Sequence, residues 1–268
     1  MTAPATAFAD GWTIARRNVI KVFRVPDLII FSTVQPIMFV LLFAYVFGGA
    51  IEVPGVSYRE FLIGGIFVQI VAFNSGVTAI GLADDLQKGI IDRFRTLPMA
   101  RSAVLIGRTA SDLVTAVIVL VVMSLCGLLV GWRIHSSVGE AIGGYAVVLL
   151  FSFAMSWIAA TIGLAVRSVE VAQSAGLIWL FPVTFVSNVF VPLSSMPSWL
   201  QPVAEWNPVS TVALAIRTLF GNVPAGVPPD GTRFPSEHPV AMSVVWCLLI
   251  LAVFIPLAVQ RYQRAAAR

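Results

Sequence analysis

The chain has 268 residues, 58% hydrophobic and 11% charged, with 17 Lys and Arg against 13 Asp and Glu. Soluble domains carry about 25% charged residues, and a mean hydropathy of +0.91 leaves too little polar surface to face water. This composition excludes a soluble enzyme, a disordered regulator and a nucleic-acid-binding domain. It also excludes one anchor with a soluble head, because no long polar stretch could build the head.

In chain order, Ala7–Arg24 places Phe8, Trp12, Ala15, Val19 and Val22 at helical steps, with Arg16, Arg17, Lys21 and Arg24 mostly off that stripe. The pattern predicts a basic amphipathic helix on the cytoplasmic leaflet, either a simple anchor or an anchor that also touches a partner. Six charge-free runs follow: Leu28–Gly49, Phe61–Ala83, Leu113–Trp132, Ala141–Val166, Val171 to about Val191, and Pro239–Gln260. Each approaches the roughly 20 residues a helix needs to cross a bilayer. None alternates as a barrel strand would. The expected fold is therefore an all-α membrane protein of six transmembrane helices.

Charge sets the orientation. With both termini cytoplasmic, the inner segments hold 13 of the 17 basic residues, and the outer ones hold Arg59, Arg133, Arg217 and Arg233. That asymmetry follows the positive-inside rule and places the protein in the cytoplasmic membrane. The first 27 residues lack a signal-peptide pattern, so the first span is expected to direct insertion. The two halves share no repeat of the kind many secondary transporters carry.

The second inner loop is densely charged. Asp85, Lys88, Asp92, Arg93, Arg95 and Arg101 mix signs, while Ile90, Ile91, Phe94 and Leu97 add apolar contacts. Gly89 and the Leu97-Pro98 step break it into a short helix, a turn and a second helix that enters the third span. Such a segment reads either as a loop held inside by charge or as a docking surface. The outer stretch Val191–Gly221 is too apolar for a loop and too rich in proline to span. Trp199 and Trp206 suit a headgroup boundary, and Thr211–Ile216 is a short apolar piece. The stretch reads as a re-entrant or interfacial helix pair serving as lid or gate.

Catalytic motifs are missing. The lysines, Lys21 and Lys88, do not follow glycine, so no P-loop exists. His135 and His238 are isolated, no acidic cluster accompanies them, and no metal site is expected. Cys126 and Cys247 sit in apolar runs as small hydrophobes. Asp112 lies one turn into the third span, within reach of the aqueous interface or of Arg108 at i−4. At depth the polar residues are uncharged: Gln35, Gln69, Asn74, Gln173 and Asn188, among aromatics such as Phe39 and Phe43. Each amide could serve an interhelical hydrogen bond or line a pathway for an apolar or amphipathic substrate. Pro36 and Pro182 mark the first and fifth spans as the bent ones.

The run Lys88-Gly89-Ile90-Ile91-Asp92-Arg93-Phe94-Arg95-Thr96-Leu97-Pro98-Met99, with Arg101 and Gly107-Arg108, resembles the loop motif of type-2 ABC transporter permeases. The similarity is greatest to the daunorubicin-resistance group of drug, polyketide and lipid exporters. Met196–Pro202, Asn207-Pro208 and Arg217 are similar to that group's second landmark. The resemblance covers nearly the whole chain. It implies a non-catalytic permease subunit of an ABC exporter, paired with a second copy or a paralogue in membrane lipid. Each permease would dock on a separate ATP-binding subunit that carries ATP and Mg. This chain would bind no cofactor, no metal and no nucleic acid.

The resemblance also assigns the segments. Residues 1–27 would be the interface helix, with Trp12, Arg16, Arg17 and Lys21, and residues 28–260 the six-span domain. Within it, 84–112 would be the coupling loop, with Asp85, Lys88, Gly89, Asp92, Arg93, Phe94, Arg95, Leu97 and Pro98. Residues 192–221 would be the extracellular re-entrant segment, gated by Pro197, Trp199, Asn207 and Pro208. Residues 261–268 would be a basic tail. Pathway candidates are Gln35, Phe39, Phe43, Gln69, Asn74 and Asn188, on a seam of the first, second and fifth spans. The substrate would be a hydrophobic drug, polyketide or lipid-like molecule. A lipid-linked glycan exporter of the same fold, or an ion-coupled carrier without an ATPase, are the alternatives.

Overall fold

A computed structural model describes residues 26–48, 51, 53, 55–89, 103–223, 231 and 233–265. Within these residues the structure is helical and has no strand. Helix α1 (Pro26–Leu42) runs on into a π-helical turn, Phe43–Phe47. Next come α2 (Tyr58–Asn74), α3 (Gly76–Gln87), α4 (Ala103–Val130), α5 (Val138–Gly163) and α6 (Val169–Phe185). A 3-10 turn, Leu193–Ser195, precedes the short α7 (Gln201–Trp206) and α8 (Pro208–Leu219). A single turn, α9 (Phe234–Glu237), leads into α10 (Pro239–Ala265).

The helix starts are written in local chemistry. Ser57 and Ser168 accept from the amides of Glu60 and Val171. Ser137 and Glu140 close a reciprocal capping box at the head of α5. Such caps satisfy amides that a helix start leaves without partners. The ends use glycine where the backbone turns left-handed: Gly89 after α3 (φ 62°) and Gly131 after α4 (φ 104°).

Four stretches are long and apolar enough to cross a membrane: Tyr58–Gln87, Leu105–Val130, Val138–Gly163 and Pro239–Arg264. Two of the six expected spans therefore appear shorter. The fifth run does not continue to Val191, because α6 stops at Phe185. The side-chain amide of Asn207 takes the carbonyls of Val183 (2.6 Å) and Val186 (2.7 Å). Those acceptors are thereby satisfied and the chain turns inward. The first run gives α1 and its π-turn, of which Val34–Phe47 is the apolar stretch of described side chains. The second run is two helices in line, broken at Ser75, whose hydroxyl donates to Ala72 O (2.6 Å).

The core lies between α2, α5 and α8. Helix α8 packs across α2, α5 and α10, and α10 lies along α5. Almost the whole of α8 is buried from Val209 to Arg217. Apolar side chains on the outer faces of α4, α6 and α10 stay exposed, Leu125, Leu129, Ile178, Phe181, Leu248 and Val253 among them. This distribution suits a multi-pass protein solvated by lipid.

The charge count treats Arg217 as an outer-segment charge, but the structure buries it to 1% exposure. Its Nε donates to Phe61 O (2.7 Å), and Nη2 donates to Asn188 O (2.9 Å) and Val189 O (3.1 Å). The guanidinium carbon lies 3.5 Å from the centroid of the Phe61 ring. One cation thus ties α8 to α2 and to the turn after α6. Nearby, Tyr58 Oη donates to Phe190 O (3.0 Å) and Ser210 Oγ accepts from Asn188 N (3.0 Å). The close approach depends on two glycines. A Cβ at Gly64 would stand 2.8 Å from Arg217 Cγ. One at Gly65 would strike the Val189 carbonyl and stand 2.8 Å from Arg217 Nη2.

Gly65→Ala therefore costs about 1–3 kcal/mol by forced displacement of backbone. It lowers the melting temperature of the detergent-solubilised protein. Gly76→Ala, where a Cβ meets open space, shifts stability by no more than about 0.5 kcal/mol.

Candidate functional site: an amide-lined cavity

The cavity with the clearest chemistry lies where α1, the α2–α3 break and α6 meet, and has a volume of about 290 Å³. Four side-chain amides enter its lining: Gln35 from α1, Gln69 and Asn74 from α2, and Gln173 from α6. Phe39, Phe73 and aliphatic residues supply the rest, and no charged side chain lines it. Gln69 is buried, whereas Gln35, Val77, Gln173 and Leu177 are exposed at the rim. The cavity is thus open on one side. Pro36 lies in the lining, on α1, and Pro182 lies inside α6. Such a site has amide donors and acceptors set among apolar walls. It can hold a largely apolar molecule and orient its few polar groups, and it offers no counter-ion to a bare ion.

Of the six pathway candidates, Gln35, Phe39, Gln69 and Asn74 come together here. Two stand elsewhere. Asn188 is buried outside the cavity, its backbone held by Arg217 and Ser210. Phe43 belongs to a series of phenylalanine rings that leaves the cavity at Phe73 and meets it again at Phe39. Phe73 meets Phe181 edge-on (5.5 Å), Phe181 stacks on Phe185 (5.5 Å), and Phe185 meets Phe190 (5.4 Å). Phe190 stacks on Phe43 (4.5 Å), which in turn contacts Phe39 (5.9 Å) and Phe47 (5.0 Å). The sequence reading did not find this series. Its members come from α1, α2, α6 and the turn after α6, and no single segment shows it.

On the other side of the cavity, α3 continues toward the charged loop. Asp85, Lys88 and Gly89 lie at its end, where Lys88 pairs with Asp84 (2.7 Å) and Gly89 closes the helix. Asp92, Arg93, Phe94, Arg95, Leu97 and Pro98 lie outside the described residues, as do Trp12, Arg16, Arg17 and Lys21. Asp112 was expected to lie within reach of the aqueous interface or of Arg108. Its Oδ2 accepts from the Thr78 hydroxyl, and the Arg108 guanidinium reaches Asp85 (3.6 Å) and Val77 O (3.3 Å). Arg108 remains near enough to act on the Asp112 charge.

The gate candidates divide as well. Pro197 and Trp199 are exposed, Trp199 at 73%. Asn207 and Pro208 form the joint between α7 and α8. Asn207 Oδ1 caps α8 by accepting from Val209 N (2.8 Å), while its Nδ2 holds the end of α6. Beneath the joint, Glu205 is buried and accepts from Arg233 N (2.7 Å), Arg233 Nη1 (2.8 Å) and Ser236 Oγ (2.7 Å). Burial pulls the Glu205 carboxyl upward, but these hydrogen bonds and the guanidinium outweigh it and hold it below the usual carboxylate range.

The comparisons agree with this architecture. The ABC-2 type transporter family matches residues 10–221. The daunorubicin resistance ABC transporter permease protein of Streptomyces coeruleorubidus is 33% identical over 263 residues, 97% of this chain and 88% of that protein. A probable doxorubicin resistance ABC transporter permease protein of Mycobacterium tuberculosis is 26% identical over 244 residues, 89% of this chain and 82% of its own length. A putative transport permease of Porphyra purpurea is 26% identical over 216 residues, 78% and 73% of the two chains.

Asn207 supplies a testable element of the joint. Asn207→Ala leaves two carbonyls and one amide without partners and costs about 1–3 kcal/mol. Asn207→Asp keeps the acceptor for Val209 N but has no donor for Val183 and Val186, so it is expected to destabilise as much as alanine. Melting temperatures in detergent check both, and an aspartate variant as stable as the parent would contradict the joint. With the fold, the cavity and the relatives in agreement, the chain belongs to the ABC-2 type transporter family and is a membrane permease subunit.

Proposed function

We propose that this permease exports a hydrophobic drug or polyketide, driven by ATP and Mg on a separate ATP-binding subunit. The cavity carries the proposal: four amides in an apolar and aromatic lining, with no charge. The relatives named for daunorubicin and doxorubicin resistance support this reading. The phenylalanine series beside the cavity favours a substrate with flat rings, because aromatic faces stack on one another. A lipid-like substrate of similar polarity belongs to the same class of reading. A lipid-linked glycan would bring a charged phosphate linkage, for which this lining has no counter-ion. An ion-coupled carrier would need titratable groups in the cavity, and its lining holds none.

In the arrangement proposed, six helices span the cytoplasmic membrane with both termini inside. The spans are α1 with its π-turn, α2–α3, α4, α5, α6 and α10. Residues 1–27 form the interface helix and 84–112 the coupling loop that takes up motion from the ATP-binding subunit. Residues 192–221 fold back as re-entrant helices that close the outer side, and 261–268 are a cytoplasmic tail. A second permease copy or paralogue faces the open rim of the cavity, on the α1 and α6 side. ATP hydrolysis then alternates the cavity between the two sides of the membrane.

Two variants test the two ends of the proposal in one assay, daunorubicin accumulation in cells expressing the permease with its ATP-binding subunit. Gly176 lies in the cavity lining, and a Cβ there meets nothing within 4 Å. Gly176→Trp should therefore fill the cavity without unfolding the chain and reduce export at least tenfold. Reversing Arg93 and Arg95 to Glu should abolish export while the permease still inserts in the membrane. Normal export by the first variant would sink the cavity assignment, and normal export by the second would sink the coupling assignment.

A further inference from the structure

We infer that Arg108 and Asp112 on α4 are positioning residues that clamp α3, so that displacement of the cytoplasmic loop reaches the wall of the cavity. The inference rests on the coupling loop proposed above. Helix α3 is a separate 12-residue rod, roughly 18 Å long. One residue, Ser75, separates it from α2 and keeps helical dihedrals (φ −59°, ψ −25°), and Gly76 has open space beside it. At one end Gly76, Val77 and Ile80 form part of the cavity wall. At the other end stand Asp85, Lys88 and Gly89, and α4 begins at Ala103. A rod that reaches from the cavity wall to the loop carries motion between them through the groups that grip it.

The grip has matching spacing on both helices. Arg108 and Asp112 stand four residues apart and so share one face of α4. Val77, Gly81 and Asp85 are likewise four apart on α3, with Thr78 beside them. Arg108 donates to Val77 O (3.3 Å) and pairs with Asp85 (3.6 Å), reaching across two turns of α3. Its guanidinium crosses directly over Gly81, where a Cβ would collide with it. The Thr78 hydroxyl, fully buried, donates to Asp112 Oδ2. The backbones of α3 and α4 touch little, since α3 packs mainly on α5 and α6. The polar side chains therefore carry the link. On the α5 side, Gly163 admits the backbone of Ala79 with no room for a Cβ.

The test uses Thr78→Val, which keeps shape and removes the hydroxyl, beside Thr78→Ser, which keeps the hydroxyl. In inverted vesicles holding the permease with its ATP-binding subunit, Thr78→Val should lower MgATP-driven daunorubicin uptake at least fivefold. Equilibrium binding of daunorubicin without nucleotide should stay within twofold of the parent. Thr78→Ser should stay within twofold on both readings. Should Thr78→Val fail to insert, Arg108→Gln is expected to give the same split between uptake and binding. Full uptake by Thr78→Val, or equal loss in Thr78→Ser, would overturn the clamp.

Absence of uptake by the parent complex would count against the transport reading, and the clamp would then be decided on the purified permease alone. Amide hydrogen exchange over Val77–Lys88 should accelerate at least tenfold in Thr78→Val, while Tyr58–Asn74 is unchanged. Unaltered exchange over Val77–Lys88 would overturn the clamp.

Discussion

A helix that stops inside an apolar medium exposes carbonyls that no water can take, and each such group costs several kcal/mol if left alone. Helix α6 stops this way after 17 residues. The turn that follows is possible because Asn207 takes the carbonyls of Val183 and Val186, and Arg217 takes those of Asn188 and Val189. Both donors come from the α7–α8 segment. That segment is consequently fixed against the end of α6, and Arg217 also fixes it against α2 through Phe61 O. The shortening of α6, the burial of α8 and the demand for glycine at positions 64 and 65 follow from this one constraint.

The same economy governs the cavity. Breaks in α2–α3 at Ser75 and prolines in α1 and α6 surround it. Helices interrupted at one level leave room there that straight, fully packed helices would close. The amides at that level serve the room, and no charged side chain lines it: Arg108 reaches the wall at the Val77 carbonyl, and Arg217 and Glu205 lie toward the α7–α8 segment. A substrate passing through would meet hydrogen-bonding groups and rings and no fixed charge.

Much of this was legible in the chain. Amides in otherwise apolar runs flagged Gln35, Gln69, Asn74 and Gln173, because a polar side chain in such a run must either bond across helices or line a cavity. The caps at Ser57, Ser137 and Ser168 lie just before the charge-free runs and were passed over, because counting apolar residues places a span and not the start of its helix. What escaped depends on partners far away in sequence. Asn188 carries an amide like the others, yet its place was decided by Arg217, 29 residues on. Arg217 was counted as a loop charge because charge counting assumes water around each arginine. Its own segment, apolar on both sides from Val209 to Leu219, carried the hint that it is buried. Arg108 and Asp112 stand near each other at i,i+4, and each also bonds to α3, a contact that local spacing does not show. The phenylalanine series was invisible for the same reason, since its rings come from four separate stretches.

The central claim is that this permease moves an uncharged-site substrate on energy supplied by another subunit. Reconstitution into liposomes measures it most directly, with the purified permease alone or together with its ATP-binding subunit, and daunorubicin as the probe. The account predicts ATP-dependent accumulation that requires both proteins and survives an ionophore that collapses ion gradients. Accumulation by the permease alone, or its collapse on addition of the ionophore, would contradict it.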